Sequence, residues 1–288
     1  MNAIAPLNVA MSGGLAIQRL QPTIGAEITG VDLRETLSDA ARDAIRNAVL
    51  QHKVVFFRDQ HLSAEQHADF ARHFGPLYTH PTTSRGGNGT EPALHKISAA
   101  EDKERFAERR SRTVKWDAYH TDTSWRLVPA WGAVLRAVNL PELGGDTIWV
   151  DAGLAYRGLS DELKERLQGL HVTHDYRDDL VRAGHDYPIV AHPVVRTHRE
   201  TGQPILWVNY SQHPQILGLE LAESRDLLGQ IIAQYQKPEN QVRFSWRPGS
   251  LAFWDNRAAV HYAVRNYGDF PRSLDRILIA DERLHSDL

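Results

Sequence analysis

Three His-x-Asp tripeptides occur in the chain, at His67–Asp69, His120–Asp122 and His285–Asp287. Each offers an imidazole and a carboxylate, donors that hold a divalent transition metal once a third ligand joins them. Thiolates are excluded, because the 288 residues include no cysteine. Local geometry then separates the three. "SAEQHADFARHFG" (63–75) opens with a capping box, Ser63 to Gln66, and closes on Gly75, which predicts a helix. Residues two apart on a helix point about 200° apart, so His67 and Asp69 cannot share one ion. His285 lies in the terminal "HSDL", where chain ends fray. His120 and Asp122, in "DAYHTDTSW" (117–125), read as an extended edge beside the strand that starts near Trp131. Residues i and i+2 of a strand face one side.

A third ligand must come from a facing strand, and His261 in "FWDNRAAVHYAV" is the best candidate. Two histidines and one carboxylate leave three adjacent positions of an octahedral iron open, the facial arrangement of non-haem iron sites. Taken alone, His120 is more plainly a half-buried histidine with its hydrogen bonds satisfied. The context is more telling: Arg272 and Arg276 follow His261 by 11 and 15 residues, in "FPRSLDRILIAD". Four apart on an extended run, they face the same side, and a guanidinium is a planar clamp for a carboxylate. A surface salt bridge is the ordinary role of one arginine; a pair beside a candidate ligand is less ordinary. Thr147, in "LGGDTIW", could add a hydroxyl to the same carboxylate, although a lone threonine is usually structural.

The elements that must position these groups follow from periodicity. "SDAARDAIRNAVLQHK" (38–53) has an N-cap serine and apolar residues at helical spacing, and runs into the strand-like "VVFF" (54–57). After residue 113 short β-rich runs succeed one another, among them "WGAVLRAVNL", "DTIWVD", "PILWVN", "VRFSW", "SLAFWDN" and "RILIAD". Two helical segments interrupt them, "SDELKERLQGL" (160–170) and "AESRDLLGQIIAQYQK" (222–237). The expectation is a mainly β fold with flanking helices, a double-sheet jelly roll. With no internal repeat or linker, residues 1–288 read as a single domain. The polar "RGGNGTEPALHKISAAEDKERFAERRSR" (85–112) reads equally as a functional lid or a solvated insertion, spanning roughly 81–115.

Composition narrows the class. A net charge of −3 gives no reason to expect nucleic acid or an anionic membrane as partner. Hydrophobic content of 42% and charged content of 24% are those of an ordinary soluble protein. No run approaches the roughly 18 apolar residues of a membrane helix. No basic region precedes an apolar run at the start, so a cytoplasmic protein is expected.

These motifs, in this order, resemble the taurine dioxygenase family of Fe(II)/2-oxoglutarate oxygenases over nearly the whole chain. The matching blocks include "IGAEITGVDL" (24–33), "VVFFRDQ" (54–60), "FGPLYTHP" (74–81), "YHTDTSW", "LPELGGDTIWVDAGLAYRGLS" (140–160), "HPVVRTHRETGQPILWVN" (192–209) and "WDNRAAVHYA". Each block alone is weak, and their order together with the His261-to-arginine spacing makes the resemblance specific. It implies a double-stranded β-helix with iron held by His120, Asp122 and His261, and with Thr147 and Arg272 on the distal carboxylate of 2-oxoglutarate. It places Arg276 and His80 at the anionic end of the substrate, with Thr123 lining the same pocket. The implied cofactors are Fe(II), 2-oxoglutarate as co-substrate and O2, and the implied assembly is a homo-oligomer.

The implied reaction is hydroxylation of a C–H bond coupled to conversion of 2-oxoglutarate to succinate and carbon dioxide. Asp122 retains the carboxylate that halogenating relatives lack. Lys115-Trp116 stands where taurine-oxidising members carry polar and acidic residues suited to an ammonium, and "VNYSQ" (208–212) stands where those members place an aromatic residue. The segment between "HDYRDDLVRAG" and "HPVV" is also shorter. An anion without an amine is therefore expected: an alkylsulfonate, an alkyl sulfate or an aryloxyalkanoate. Taurine dioxygenase proper, a non-oxidative jelly-roll metal enzyme and a sensor module with a vestigial triad remain the alternatives.

Overall fold

The computed structural model describes residues 8–81, 93–98 and 119–281. Most of the expected insertion, with Lys115 and Trp116, lies outside the described residues, as do His285 and Asp287. In chain order the described strands are β1 (Val9–Ser12), β2 (Leu15–Arg19), β3 (Ala26–Thr29), β4 (Val54–Phe57), β5 (Leu77–Tyr78), β6 (His95–Ser98), β7 (Gly132–Asn139) and β8 (Thr147–Asp151). They continue with β9 (His171–His174), β10 (Val190–Pro193), β11 (Val195–Thr197), β12 (Pro204–Leu206), β13 (Gln241–Phe244), β14 (Leu251–Asp255), β15 (Ala259–Ala263) and β16 (Ser273–Ile279). The helices are α1 (Asp39–His52), α2 (Ala64–Arg72), α3 (Ala152–Arg157), α4 (Asp161–Leu167), α5 (Arg177–Arg182) and α6 (Leu221–Tyr235).

Two sheets carry the site. The larger has nine strands in the order β1-β2-β3-β4-β14-β7-β16-β5, with β6 also paired to β16. The smaller is β13-β8-β15. Period-two alternation divides the side chains of the large sheet cleanly. Val54, Phe56, Ala133, Leu135, Ala252, Trp254, Leu274 and Leu278 share one core with Trp149, Val242, Phe244 and Ala259 of the small sheet. Their neighbours Val55, Phe57, Val134, Phe253, Ile277 and Ile279 point the other way, under α1 and α2. On the small sheet, Val150 and Val260 face outward onto α3, α4 and α6. This is a jelly roll with helices outside, as expected. Aromatic contacts close the interior: Phe56 stacks on Phe244 at 4.0 Å, and Trp149 meets Trp254 edge-on at 5.7 Å.

Local chemistry sets the helix ends. Ser38 Oγ accepts from Ala41 N, and α1 then buries Ala41, Ala44, Ile45, Ala48 and Val49 at helical spacing. Lys53, at φ 66°, turns the chain out of the helix and straight into β4. The capping box of α2 forms between Ser63 and Gln66. His67 is fully buried and Asp69 is exposed, the opposite orientations that helical geometry requires. The short helices α3 and α5 were not expected. Six residues are too few for a 3.6-residue period to register.

Candidate active site

His120 pairs with His261, not with the strand that begins at Gly132. Its N–H donates to His261 O at 2.9 Å, and His261 N donates back at 2.8 Å, so it adds one bridge to the open edge of β15. The expected position beside the Trp131 strand is thereby corrected: β7 already has β14 and β16 on its two edges.

Asp122 is not on a strand either. It opens a turn, and the i, i+2 alternation does not govern it. Buried Asn256, in the loop between β14 and β15, grips this turn with its whole amide. Its Oδ1 accepts from Asp122 N (3.0 Å), and its Nδ2 donates to Asp122 O (2.9 Å) and Ala130 O (2.9 Å). Thr123 follows at φ 53°, and its hydroxyl accepts from Ala130 N at 2.9 Å. That bond ties the turn to the segment leading into β7. Asn209 Nδ2 adds bonds to Thr121 O (3.1 Å) and Ser124 Oγ (2.7 Å). His192 Nε2 reaches both Ser124 O and Arg126 O at 2.9 Å.

His261 shares the face of Ala259, so alternation turns its ring into the space between the sheets, near Trp254 (5.1 Å). The result is a cluster of three donors within 4.8 Å of one another, from His120, Asp122 and His261. His120 Nε2 lies 3.9 Å and His261 Nε2 4.0 Å from Asp122 Oδ1. Arg276 Nη1 donates to the same Oδ1, whereas Asp122 Oδ2 is buried with no hydrogen-bond partner.

The electrostatics suit cation binding. Burial pushes the Asp122 carboxyl up, but Arg276, His261 and His120 outweigh it and hold the group at about 2, so it is ionised at neutral pH. Burial, aided by His120, lowers His261 well below its ordinary value and leaves a neutral imidazole with a lone pair to donate. A buried carboxylate whose Oδ2 is unpartnered and whose Oδ1 lies 3.9 and 4.0 Å from two imidazole nitrogens is a donor set that fits a divalent metal.

Thr147 and Arg272 border the same interior. Thr147 pairs with Ala263 in the β8–β15 ladder and lies on the Trp149 face of β8. Its Oγ1 accepts from Trp246 Nε1 at 3.0 Å, which leaves the hydroxyl proton to be donated. Arg272 is buried, donates Nε to Gly145 O at 3.0 Å and lies 5.6 Å from the Tyr267 ring. Gly145 has φ +73°, and a Cβ there would come within 2.9 Å of Arg272 Nε, so the "LGGDT" turn admits the arginine only as glycine. Arg276 shares the parity of Leu274 and Leu278, the interior face of β16, whereas Arg272 precedes the strand, beyond a register shift at Ser273/Leu274, and is placed by its bond to Gly145 O. His80 is buried among the rings of Trp125 (5.9 Å), Tyr176 (5.8 Å) and His95 (5.5 Å), and it lies within electrostatic reach of Asp122.

Sequence reasoning missed Asn256, Asn209 and His192. The available signal was a polar amide directly after an aromatic strand, in "FWDN" and "LWVN". Asp255, beside Asn256, is itself anchored: His198 Nε2 bonds its Oδ2 at 2.9 Å and Arg257 Nε its Oδ1 at 2.9 Å.

The model of the "Taurine catabolism dioxygenase TauD, TfdA family" matches residues 16–278. The alkylsulfatase of Acinetobacter baylyi is 32% identical over 286 residues, covering 93% of this chain and 86% of that protein. The (S)-phenoxypropionate/alpha-ketoglutarate-dioxygenase of Sphingobium herbicidovorans is 33% identical over 269 residues, covering 88% and 91%. Among solved structures, a putative alpha-ketoglutarate-dependent taurine dioxygenase from Burkholderia xenovorans superimposes with a TM-score of 0.81 at 35% identity, covering 93% of each chain.

Proposed function

The chain belongs to the taurine catabolism dioxygenase TauD, TfdA family, and we propose that it hydroxylates a C–H bond of a small anionic organic substrate while converting 2-oxoglutarate to succinate and carbon dioxide. The substrate classes are alkyl sulfates, alkylsulfonates and aryloxyalkanoates. The names of the A. baylyi and S. herbicidovorans relatives, an alkylsulfatase and a phenoxypropionate dioxygenase, support this choice. The observation that carries the reading is the convergence of donors from His120, Asp122 and His261, with Thr147 on the same sheet face as His261 and Arg272 buried against Gly145, two residues before Thr147.

In this reading His120, Asp122 and His261 hold Fe(II). The ion supplies, when bound, the site at which O2 is activated. Arg272 offers a planar cation to the distal carboxylate of 2-oxoglutarate, and the Thr147 hydroxyl, its acceptor side engaged by Trp246, donates to the same group. Arg276, which donates to Asp122, faces the anionic substrate with His80, and Thr123 lines the same pocket. The interior packing around Trp149 and Trp254 excludes water from the far wall. The enzyme is expected to act in the cytoplasm as a homo-oligomer.

A substrate panel tests the proposal. Taurine, a same-length alkylsulfonate, an alkyl sulfate and an aryloxyacetate are supplied with Fe(II), 2-oxoglutarate and O2, and succinate is scored against released sulfite, sulfate or phenol. Succinate formation driven by an amine-free anion is expected. Taurine outperforming the other three would reverse the substrate assignment, and product release without succinate would overturn the oxidative reaction.

A further inference from the structure

Arg126 is 8% exposed, yet none of the described carboxylates lies within ion-pair distance of it and its Nε has no acceptor. A guanidinium withdrawn from water without a counter-ion is strongly disfavoured. Its charge lies over the Tyr78 ring at 4.9 Å and near the Trp125 ring at 5.9 Å. The ring faces attract the cation, but they offer no oxygen to the Nε–H. Tyr78 Oη is also buried without a hydrogen-bond partner. Burial raises the Tyr78 phenol, the Arg126 charge pulls against it, and the Tyr187 phenol is within electrostatic reach. A buried guanidinium and a phenol oxygen that can accept from it thus meet with no described carboxylate to balance the positive charge.

The place is informative. Tyr78 and Trp125 both touch the His80 ring, at 6.3 and 5.9 Å, and Tyr187 closes on Trp125 edge-on at 4.9 Å. His80 in turn acts electrostatically on Asp122. Arg276 pairs with Asp122, whereas no described carboxylate lies within ion-pair distance of Arg126, so a second cation is open to a substrate anion on the Tyr78–Trp125 side of His80. The backbone is fixed as well, because His192 holds the Arg126 carbonyl at 2.9 Å.

We propose that Arg126 and the Tyr78 hydroxyl form a subsite for the oxyanion of the substrate, a carboxylate, sulfonate or sulfate group, beside His80. This rests on the reading of the protein as a dioxygenase of small organic anions. The full chain is assayed with Fe(II) and 2-oxoglutarate, using phenoxyacetate and hexyl sulfate as probes. Arg126→Gln should raise KM for both probes by about 30-fold or more, the loss expected when a buried ion pair is broken from one side. KM for 2-oxoglutarate should stay unchanged. Tyr78→Phe removes one oxygen without disturbing the core, and should raise the same KM by about 10-fold, the scale of a hydrogen bond to a charged group. It therefore decides the matter even where the arginine variant folds poorly. Unchanged probe KM in Tyr78→Phe and in a folded Arg126→Gln would overturn the subsite. A thermal-shift series on the same proteins separates the sources of the oxyanion. Hexyl sulfate should stabilise the wild type and not Arg126→Gln, with inorganic sulfate far weaker. Equal stabilisation by inorganic sulfate would overturn the assignment to substrate. Wild-type enzyme silent with every organic anion would instead sink the parent reading, and the thermal shifts would still decide the subsite.

Discussion

At the scale of single residues, burial and charge leave each group of the centre one useful state. His261 is kept neutral by burial, and Asp122 is kept ionised chiefly by Arg276. Replacing His120, Asp122 or His261 by Ala should abolish activity and iron retention, measured as bound metal after desalting. A loss limited to roughly 10- to 100-fold, the scale of groups outside the ligand set, would reassign that residue. Arg272→Ala should raise the 2-oxoglutarate requirement far more than the substrate requirement, because it leaves a partly buried carboxylate unpaired at a cost of about 2–5 kcal/mol. Arg272→Lys should recover only part of this, since an ammonium lacks the planar fork. Initial rates over a 2-oxoglutarate series decide it: normal dependence in Arg272→Ala would remove the clamp.

At the scale of elements, the turn that carries Asp122 is held by Asn256, Asn209, His192 and the Thr123 hydroxyl, and Asn256 contributes most of the bonds to Asp122. Asn256→Ala leaves the Asp122 amide and two carbonyls without partners, at about 1–3 kcal/mol for each group that stays dry. Metal affinity should fall roughly 10- to 100-fold, in line with groups that orient a ligand without touching the ion. Isothermal titration with Co(II) would show it, and wild-type affinity would mean that Asn209 and Thr123 suffice. Helix α2 carries a different signature. Burial, aided by the Arg136 charge, depresses His67 from 6.5 to about 3. The unfolded chain therefore takes up the proton first, and this contribution to stability, complete above pH 6.5, is lost as pH falls toward 3. The loss is about 1.4 kcal/mol per pH unit. His67→Gln should flatten the fall in urea stability between pH 6 and 4 by about one proton. An unaltered slope would place the acid sensitivity elsewhere.

At the scale of the whole molecule, the site depends on the spacing of two sheets. Trp149, fully buried, meets Phe56 at 5.4 Å and Trp254 at 5.7 Å, and it separates the small sheet from the large one directly behind His261. Trp149→Ala should cost about 3–5 kcal/mol, as large aromatic truncations do. It should also weaken metal binding, because the sheets that carry His261 and Arg276 would close on the cavity. Trp149→Phe should be far milder: the indole N–H is buried with no partner, so losing it removes an unsatisfied donor. Denaturant titration of both variants checks the order. Equal losses would show that the indole N–H is not a burden to the native state.

Much of this was legible in the order of residues. The exclusion of His67–Asp69 follows from helical period alone, and the alternation in "RILIAD" and "SLAFWDN" assigns each side chain to a face before any partner is known. The cap serines 38, 63 and 160 mark helix starts for equally local reasons. Donor types are local too: without cysteine, imidazole and carboxylate are the ionic metal donors available. Only the tertiary structure decided that Asp122 sits in a turn held by Asn256, 134 residues away, and that Arg276, 154 residues away, rests on its carboxylate. It also decided that His120 joins β15 instead of the Trp131 strand, and that Arg126 is buried beside Tyr78. Periodicity reports which face a residue takes within its own element. Which two faces meet is set by sheet order and by the pairing of distant buried polar groups, and a linear pattern carries no distance between them.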